Sequence, residues 1–235
     1  LFPWAGGLNN PQYSNIDLND DGAQDLFIFD RNGAAQLTFL HTGNPGTLNY
    51  TFAPEYVSAF PKPLDWALLR DFNGDGIPDM FANAYDQPPQ GVIAYRGSQV
   101  DGQLQFDRIN FDKPFNMLYF QLPGSGESQL YCSSEDIPAI DDIDNDGDLD
   151  ILAFEPNGIT VYWYKNVSVE DGFGLDTLLY EVGDLCWGQF EESGLSAEIL
   201  LAPSPSDCGA GLQGEQVFPK HAGSTLLTLD LDGDQ

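Results

Sequence analysis

The sequence predicts an all-β protein, a β-propeller made of repeated blades of roughly four antiparallel strands, and three observations carry that prediction. A nine-residue phrase, Asp-x-(Asp/Asn)-x-Asp-Gly-x-x-Asp, occupies 17–25, 71–79 and 142–150, and a fourth copy opens at Asp230 and is cut off at Gln235. Each complete phrase runs directly into a short apolar stretch, LFIF, MFAN or ILAF, followed by a Gly-bearing turn and a second run rich in β-branched and aromatic residues. No long segment combines a 3.6-residue apolar period with strong helix formers.

Taken in order, the elements recur with the same local context. The first repeat reads YSNI, the loop at 17–25, LFIF, a turn at Gly33 and AAQLTFLHT. WALLR, the loop at 71–79, MFAN, a turn at Gly91 and VIAYRG make the second. PAID, the loop at 142–150, ILAF, a turn at Gly158 and ITVYWYKN make the third, and TLLTL leads into the truncated copy. Each repeat therefore holds at least three antiparallel strands, the acidic loop joining the first pair. The chain divides as one propeller region over 1–235, with approximate repeats 1–60, 61–130, 131–220 and a partial 221–235. Uneven spacing puts the extra length into 98–136 and 168–224, each expected to give the outer strand of a repeat plus a long surface loop. A single four-stranded blade cannot bury both faces alone, so neighbouring repeats are required. Separate small β-sandwiches are the alternative, and a 54-residue interval is short for one.

The loop spells a site for a hard cation. Oxygen ligands at alternate positions, with Gly where the backbone must turn sharply, suit calcium, which takes six to eight oxygens without demanding a regular octahedron. Numbering the phrase from its first Asp, side-chain oxygens come from positions one, three, five and nine and a backbone carbonyl from position seven. The first loop then offers Asp17, Asn19, Asp21, Asp25 and the carbonyl of Ala23. Asp71, Asn73, Asp75, Asp79 and the carbonyl of Ile77 serve in the second, and Asp142, Asp144, Asp146, Asp150 and the carbonyl of Asp148 in the third. Asp230, Asp232 and Asp234 would begin a fourth, so three complete Ca²⁺ sites and one truncated site are expected. Gly22, Gly76 and Gly147 hold the turning position. An EF-hand is excluded, because Ile28, Ala82 and Ala153 stand where its bidentate Glu belongs. The alternative is a set of Asp/Gly-rich hairpin turns that carry no ion. Ligand charges of −3, −3 and −4 predict that the third loop binds most tightly. Extracellular calcium modules bind with dissociation constants of about 0.1 to 1 mM. At millimolar calcium that amounts to roughly 0.5 to 1.5 kcal/mol of stabilisation per site.

Composition narrows the partners. Eight Lys and Arg against 37 Asp and Glu leave a net charge of −29, which speaks against nucleic acid and anionic lipid surfaces. The acid is 27 Asp to 10 Glu, and 15 of the Asp lie in the three loops and the partial fourth, so the charge sits where the repeats are. No apolar run approaches the roughly 18 residues of a membrane-spanning helix, and no membrane insertion is expected. The start at Leu1 and the end inside a repeat predict that both ends were cut from a longer chain. Cys132, Cys186 and Cys208 leave two readings open, a Cys186–Cys208 bridge in an oxidising compartment or three buried thiols.

The loop phrase followed by an apolar strand resembles the FG-GAP/VCBS-type calcium-loop repeats of integrin-α-like β-propellers and secreted bacterial surface proteins. PWAGGLNNPQ, PAIDDIDNDGDLDIL, CWGQFEE and GSTLLTLDLDGD also resemble large exported bacterial proteins that carry such a propeller, often as type IX secretion system cargo. That resemblance implies a parent propeller of about seven blades. It further implies a secreted or cell-surface location and a C-terminal sorting domain beyond this sequence. The Phe-Gly and Gly-Ala-Pro signatures are not intact, the spacing is irregular, and Gln235 stands where a loop Gly belongs.

No other catalytic phrase competes. His41 and His221 lie in HTG and KHAG contexts, and no Gly-x-Ser-x-Gly elbow, Walker loop or HExxH helix is present. The expected function is a non-enzymatic, calcium-stabilised binding or scaffold module that engages a protein or glycan at the cell surface. Two alternatives are the propeller portion of a carbohydrate-active hydrolase or lyase, with Glu191 and Glu192 beside Trp187 as its carboxylates, and a structural subunit of a larger surface assembly.

Overall fold

The computed structural model describes residues 7–44, 46–84, 90–192, 199–202, 204, 208 and 225–229. Residues 1–86 with 93–110 form one compact unit, and 87–92 with 111–235 form another.

The first unit holds two four-stranded sheets. Strands β1 (Pro11–Ile16), β2 (Asp25–Asp30), β3 (Ala35–His41) and β4 (Tyr50–Phe52) form an antiparallel meander in sequence order. The second sheet repeats that order with β5 (Ala67–Arg70), β6 (Asp79–Asn83), β7 (Val92–Val100) and β8 (Gln103–Arg108). The acidic loop joins the first strand pair of each sheet, as its flanks predict. LFIF falls in β2 and MFAN in β6, and both strands are almost wholly buried because a central strand in a packed sheet is covered on both faces.

The edge strands β1 and β5 lie side by side. Gln12 Oε1 accepts the Ala67 N–H at 3.1 Å and Ser14 Oγ accepts the Leu69 N–H at 3.4 Å, both 55 residues apart, so the two strands run in the same direction. Side chains thus satisfy edge N–H groups of the neighbouring sheet, which would otherwise be unpaired donors in a buried place. Ile16, Leu18, Phe27 and Phe29 from the first repeat pack with Phe60, Ala67, Leu69, Met80 and Leu104, and the Phe27 and Phe60 rings stack at 4.3 Å.

In the second unit, β11 (Ala139–Asp141), β12 (Asp150–Phe154), β13 (Val161–Asn166) and β14 (Tyr180–Asp184) form the third meander. Its outer edge is extended by a hairpin from earlier in the chain, β9 (Tyr119–Leu122) and β10 (Gly126–Gln129), giving the order β10-β9-β14-β13-β12-β11. β9 pairs with β14 in parallel, Phe120 opposite Tyr180. At the other edge Thr225 forms a parallel bridge with Ile137, and Thr228 Oγ1 donates a 2.5 Å hydrogen bond to Asp141 Oδ2. β15 (Phe190–Glu192) and β16 (Ile199–Leu201) make a separate two-stranded sheet. The variable stretch 98–136 therefore gives an outer strand, β8, as expected, but also a hairpin that joins a different sheet. Within 168–224, β14 is the outer strand.

Cys186 and Cys208 form a disulfide with Cα atoms 6.2 Å apart, and Cys132 is buried. Trp187 packs against the apolar cluster of Ala139, Leu152, Phe154 and Val161. Among the described residues the helical segments are three short 3-10 turns, and no helix is long and apolar enough to cross a membrane.

Candidate metal centre

The three loops share one hydrogen-bond skeleton, and it follows from where the phrase puts its carboxylates. The position-one Asp turns back over the loop and accepts the N–H groups of positions five and six. Asp17 accepts from Asp21 at 3.2 Å and Gly22 at 2.7 Å, Asp71 from Asp75 at 3.2 Å and Gly76 at 2.8 Å, and Asp142 from Asp146 at 3.1 Å and Gly147 at 3.0 Å. The position-five carboxylate accepts the N–H of position seven, Ala23 and Ile77 at 2.8 Å and Asp148 at 3.2 Å. Short Asp side chains make these local bonds because their oxygens reach backbone groups two to five residues ahead.

The backbone path explains two residue choices. Gly22, Gly76 and Gly147 have φ of 80, 87 and 103°, the region expected for the turning glycine. Position four is left-handed as well, and the residues there are Asp20, Gly74 and Asn145, with φ of 60, 71 and 60°. These are the types that tolerate that region best, a constraint the spacing of ligands did not reveal.

The position-nine residues, Asp25, Asp79 and Asp150, are fully buried. Each carboxylate receives one N–H from position two and one from the third strand of its sheet. Asp25 accepts Leu18 at 2.9 Å and His41 at 2.7 Å, Asp79 accepts Phe72 at 3.0 Å and Gly97 at 2.8 Å, and Asp150 accepts Ile143 at 3.2 Å and Asn166 at 2.7 Å. The ninth position thus ties the loop to the third strand. At Gly97 the approach is so close that a Cβ would lie 2.3 Å from the Pro78 carbonyl oxygen.

Burial pushes the Asp79 carboxyl up to about 6 and the Asp150 carboxyl up to about 7, and raises that of Asp25. The Ala23 N–H holds Asp21 below the usual range, the Asn9 N–H does so for Asp30, and Lys165 does so for Glu170. The sign of the resulting pH dependence follows. Carboxyls raised by folding favour the folded state below their unfolded value near 3.9, and that contribution is lost as pH rises through 6 to 7. The lowered carboxyls act oppositely and lose their contribution as pH falls below about 4. In chelator, the chain is therefore expected to melt higher at about pH 5 than at pH 8. A thermal melt series in EDTA checks this, and a melting temperature that climbs steadily from pH 5 to 8 would contradict it.

In the third loop the carboxylates converge. Oxygens of Asp142, Asp144 and Asp146 lie within 4.8 Å of one another, as do those of Asp146, Asp148 and Glu170. Burial pushes Asp146 up to about 6. Asp148, placed by the sequence as a carbonyl donor, is 1% exposed, and its side chain accepts the Ser168 hydroxyl and the Val169 N–H, both at 3.1 Å. Lys165 on β13 reaches into the cluster: its Nζ bonds Asp144 Oδ2, lies 2.5 Å from Glu170 Oε1 and 3.4 Å from Asp146 Oδ2. Lys165 and Glu170 belong to the site and were absent from the sequence reading.

Do the residues fit a divalent ion? Asn19 Oδ1, Asp144 Oδ1 and Asp148 Oδ1 are buried oxygens that accept no hydrogen bond, and Asp146 Oδ2 is paired with the Lys165 ammonium at 3.4 Å. Orphaned acceptors of this kind are costly; those of Asn19 and Asp144 fall at position three, where a ligand oxygen is expected, and that of Asp148 adds a side-chain oxygen at the position expected to offer its carbonyl. An all-oxygen set with several carboxylates suits a hard cation. The third-loop acids can hold a metal ion.

The other candidates are placed less pointedly. Asp230, Asp232, Asp234 and His221 lie outside the described residues. His41 Nε2 is 2.9 Å from the Thr47 carbonyl oxygen, and its ring sits edge-on to Tyr50. Glu191 is buried and Glu192 half-buried; as successive residues of β15 they point to opposite faces of the strand and do not converge.

Residues 17–82 match a family model described as an FG-GAP-like repeat. The match begins at the first residue of the first loop and ends in β6, just past the second loop, so it spans one loop-to-loop interval. No curated protein and no solved structure matches the chain.

Proposed function

We propose that this chain is a calcium-stabilised, non-enzymatic binding or scaffold module with a propeller fold, carried by a secreted or cell-surface bacterial protein and engaging a protein or glycan partner. The single observation behind the reading is the shared skeleton of the three loops, in which a position-one carboxylate caps two tip amides and a position-nine carboxylate ties the loop to the third strand. The FG-GAP-like match supports a propeller-like module, and so do parallel edge strands bridged by side chains. A net charge of −29 favours a cation-rich setting and disfavours polyanionic partners.

Within that reading each residue has a task. Positions one, three, five, seven and nine present oxygens, the tip glycine lets the chain turn back, and the ninth Asp also fixes the loop on its sheet. Calcium, when bound, supplies positive charge that the eight Lys and Arg of the chain do not.

The test is a thermal melt in millimolar calcium against EDTA. Three sites of ordinary extracellular affinity are expected to raise the melting temperature by about 5 °C or more. Magnesium is expected to do less, since it asks for a regular octahedron and sheds water reluctantly. Identical melts with calcium and with chelator would refute the metal role.

A further inference from the structure

We propose that Lys165 is a resident, displaceable cation of the third loop, holding Asp144, Asp146 and Glu170 together in the ion-free protein and leaving them when a divalent ion is bound. The proposal rests on the calcium reading above and adds a residue that sets the affinity of one site.

Comparison of the loops shows why a lysine is there. At position three the first two loops carry Asn, and the amide Nδ2 of Asn19 and of Asn73 donates to the position-five carboxylate, Asp21 or Asp75, at 3.0 Å in both. The third loop has Asp144 at that place, which brings a second carboxylate and no donor. Lys165 Nζ supplies what the amide supplied: it contacts Asp144 and Asp146 together, and adds Glu170 from the turn after β13. The corresponding residues are different. His41, Gly97 and Asn166 donate their N–H to the ninth-position Asp of their loops, so the residues before them, Leu40, Arg96 and Lys165, are equivalent in the three sheets. Leu40 has no charge, and the Arg96 guanidinium lies over the Phe72 ring, 5.6 Å from its centre. Among the described loops, Asp at position three and a lysine that reaches it occur together in the third.

A second observation points to a ligand beyond the ammonium. Asp148 is 1% exposed, its Oδ1 accepts no hydrogen bond, and a carboxylate oxygen of this residue lies within 4.8 Å of oxygens of both Asp146 and Glu170. One ammonium, already shared among three carboxylates, leaves this buried acceptor unmet. A divalent ion offers a larger charge and more coordination positions than Nζ.

The consequence reverses the order expected from charge counting. An ammonium tethered to the neighbouring strand competes at high effective concentration, so the third loop is the weakest of the three for calcium although its acids are the most numerous. Calcium titration calorimetry on the chain should show two tighter ions and one weaker. In Lys165→Met and Lys165→Gln the weak ion is expected to tighten by about tenfold or more, because its competitor is gone. The same variants should melt below the unmodified chain in EDTA, where the carboxylates lose their counter-charge, and gain more from calcium than it does. A lysine with a purely structural role would not couple these two effects.

A measurement on the unmodified chain covers the case in which neither variant folds. Acylation of lysines followed by mass spectrometry should find Lys165 slow to react in EDTA and faster in calcium, with Lys62 as an internal reference. Three bound ions with an unchanged third constant in the variants, or acylation of Lys165 unaffected by calcium, would overturn this proposal alone. Calcium bound by no form of the chain would overturn the calcium reading and this proposal with it.

Discussion

Replacing Asp150 by Ala is expected to cost about 3 to 5 kcal/mol of stability, in chelator as well as in calcium, because two buried N–H groups lose their acceptor. The side chain is fully buried and receives the N–H of Ile143 and that of Asn166, so it joins the tip of the third loop to the neighbouring strand. Ala leaves both donors unsatisfied and a small void beside them. Asn keeps one acceptor and turns an NH₂ toward the other donor, so Asp150→Asn is expected to cost roughly half as much. Denaturant titration of both variants in EDTA separates this structural task from metal binding. A loss below about 1 kcal/mol for Asp150→Ala would show that the N–H groups find other partners. The same reasoning applies to Asp79, which is equally buried and holds Phe72 and Gly97.

The second large effect belongs to the core of the first unit. Phe27 is fully buried on β2 and stacks on Phe60 at 4.3 Å, while Phe60 in turn meets Phe106 at 5.0 Å. Phe27→Ala removes one end of this packed row, the ring stacked on Phe60, and is expected to cost about 3 to 5 kcal/mol, from lost burial and from the cavity left behind. Phe52, 54% exposed and at the sheet edge, is the control, and Phe52→Ala is expected to cost less than about 1 kcal/mol. Equal losses from the two substitutions would mean that the row of rings is not what holds the two sheets of that unit.

Much of the arrangement was legible because it is written at short range. The loops are spelled by Asp and Gly at fixed offsets, and the strands beside them by apolar runs bounded by turn residues, so β1, β2, β5, β6, β11 and β12 fall where the phrase places them. Spacing does not distinguish two uses of one side chain, however. Asp25, Asp79 and Asp150 occupy a ligand position by count, and both oxygens of each also accept backbone N–H groups, a second task that the spacing does not reveal. Lys165 was invisible for a different reason: it lies 21 residues beyond Asp144 and meets it only because β13 pairs with β12. A lysine in a strand ordinarily signals a solvated face. The one available sign was Asp144 itself, an acid where the first two loops have an amide donor.

The β9–β10 hairpin has a bearing on how the chain acquires its structure. In the first two sheets each strand finds its partner next to it in sequence, whereas Phe120 must wait for Tyr180, sixty residues later, and in a parallel register. Closing so long an interval costs chain entropy before any ladder bond is made. The early repeats are thus the natural nucleus, and the hairpin docks after them. While it waits, its edge is open to strands of other molecules, and crowded refolding should suffer there first.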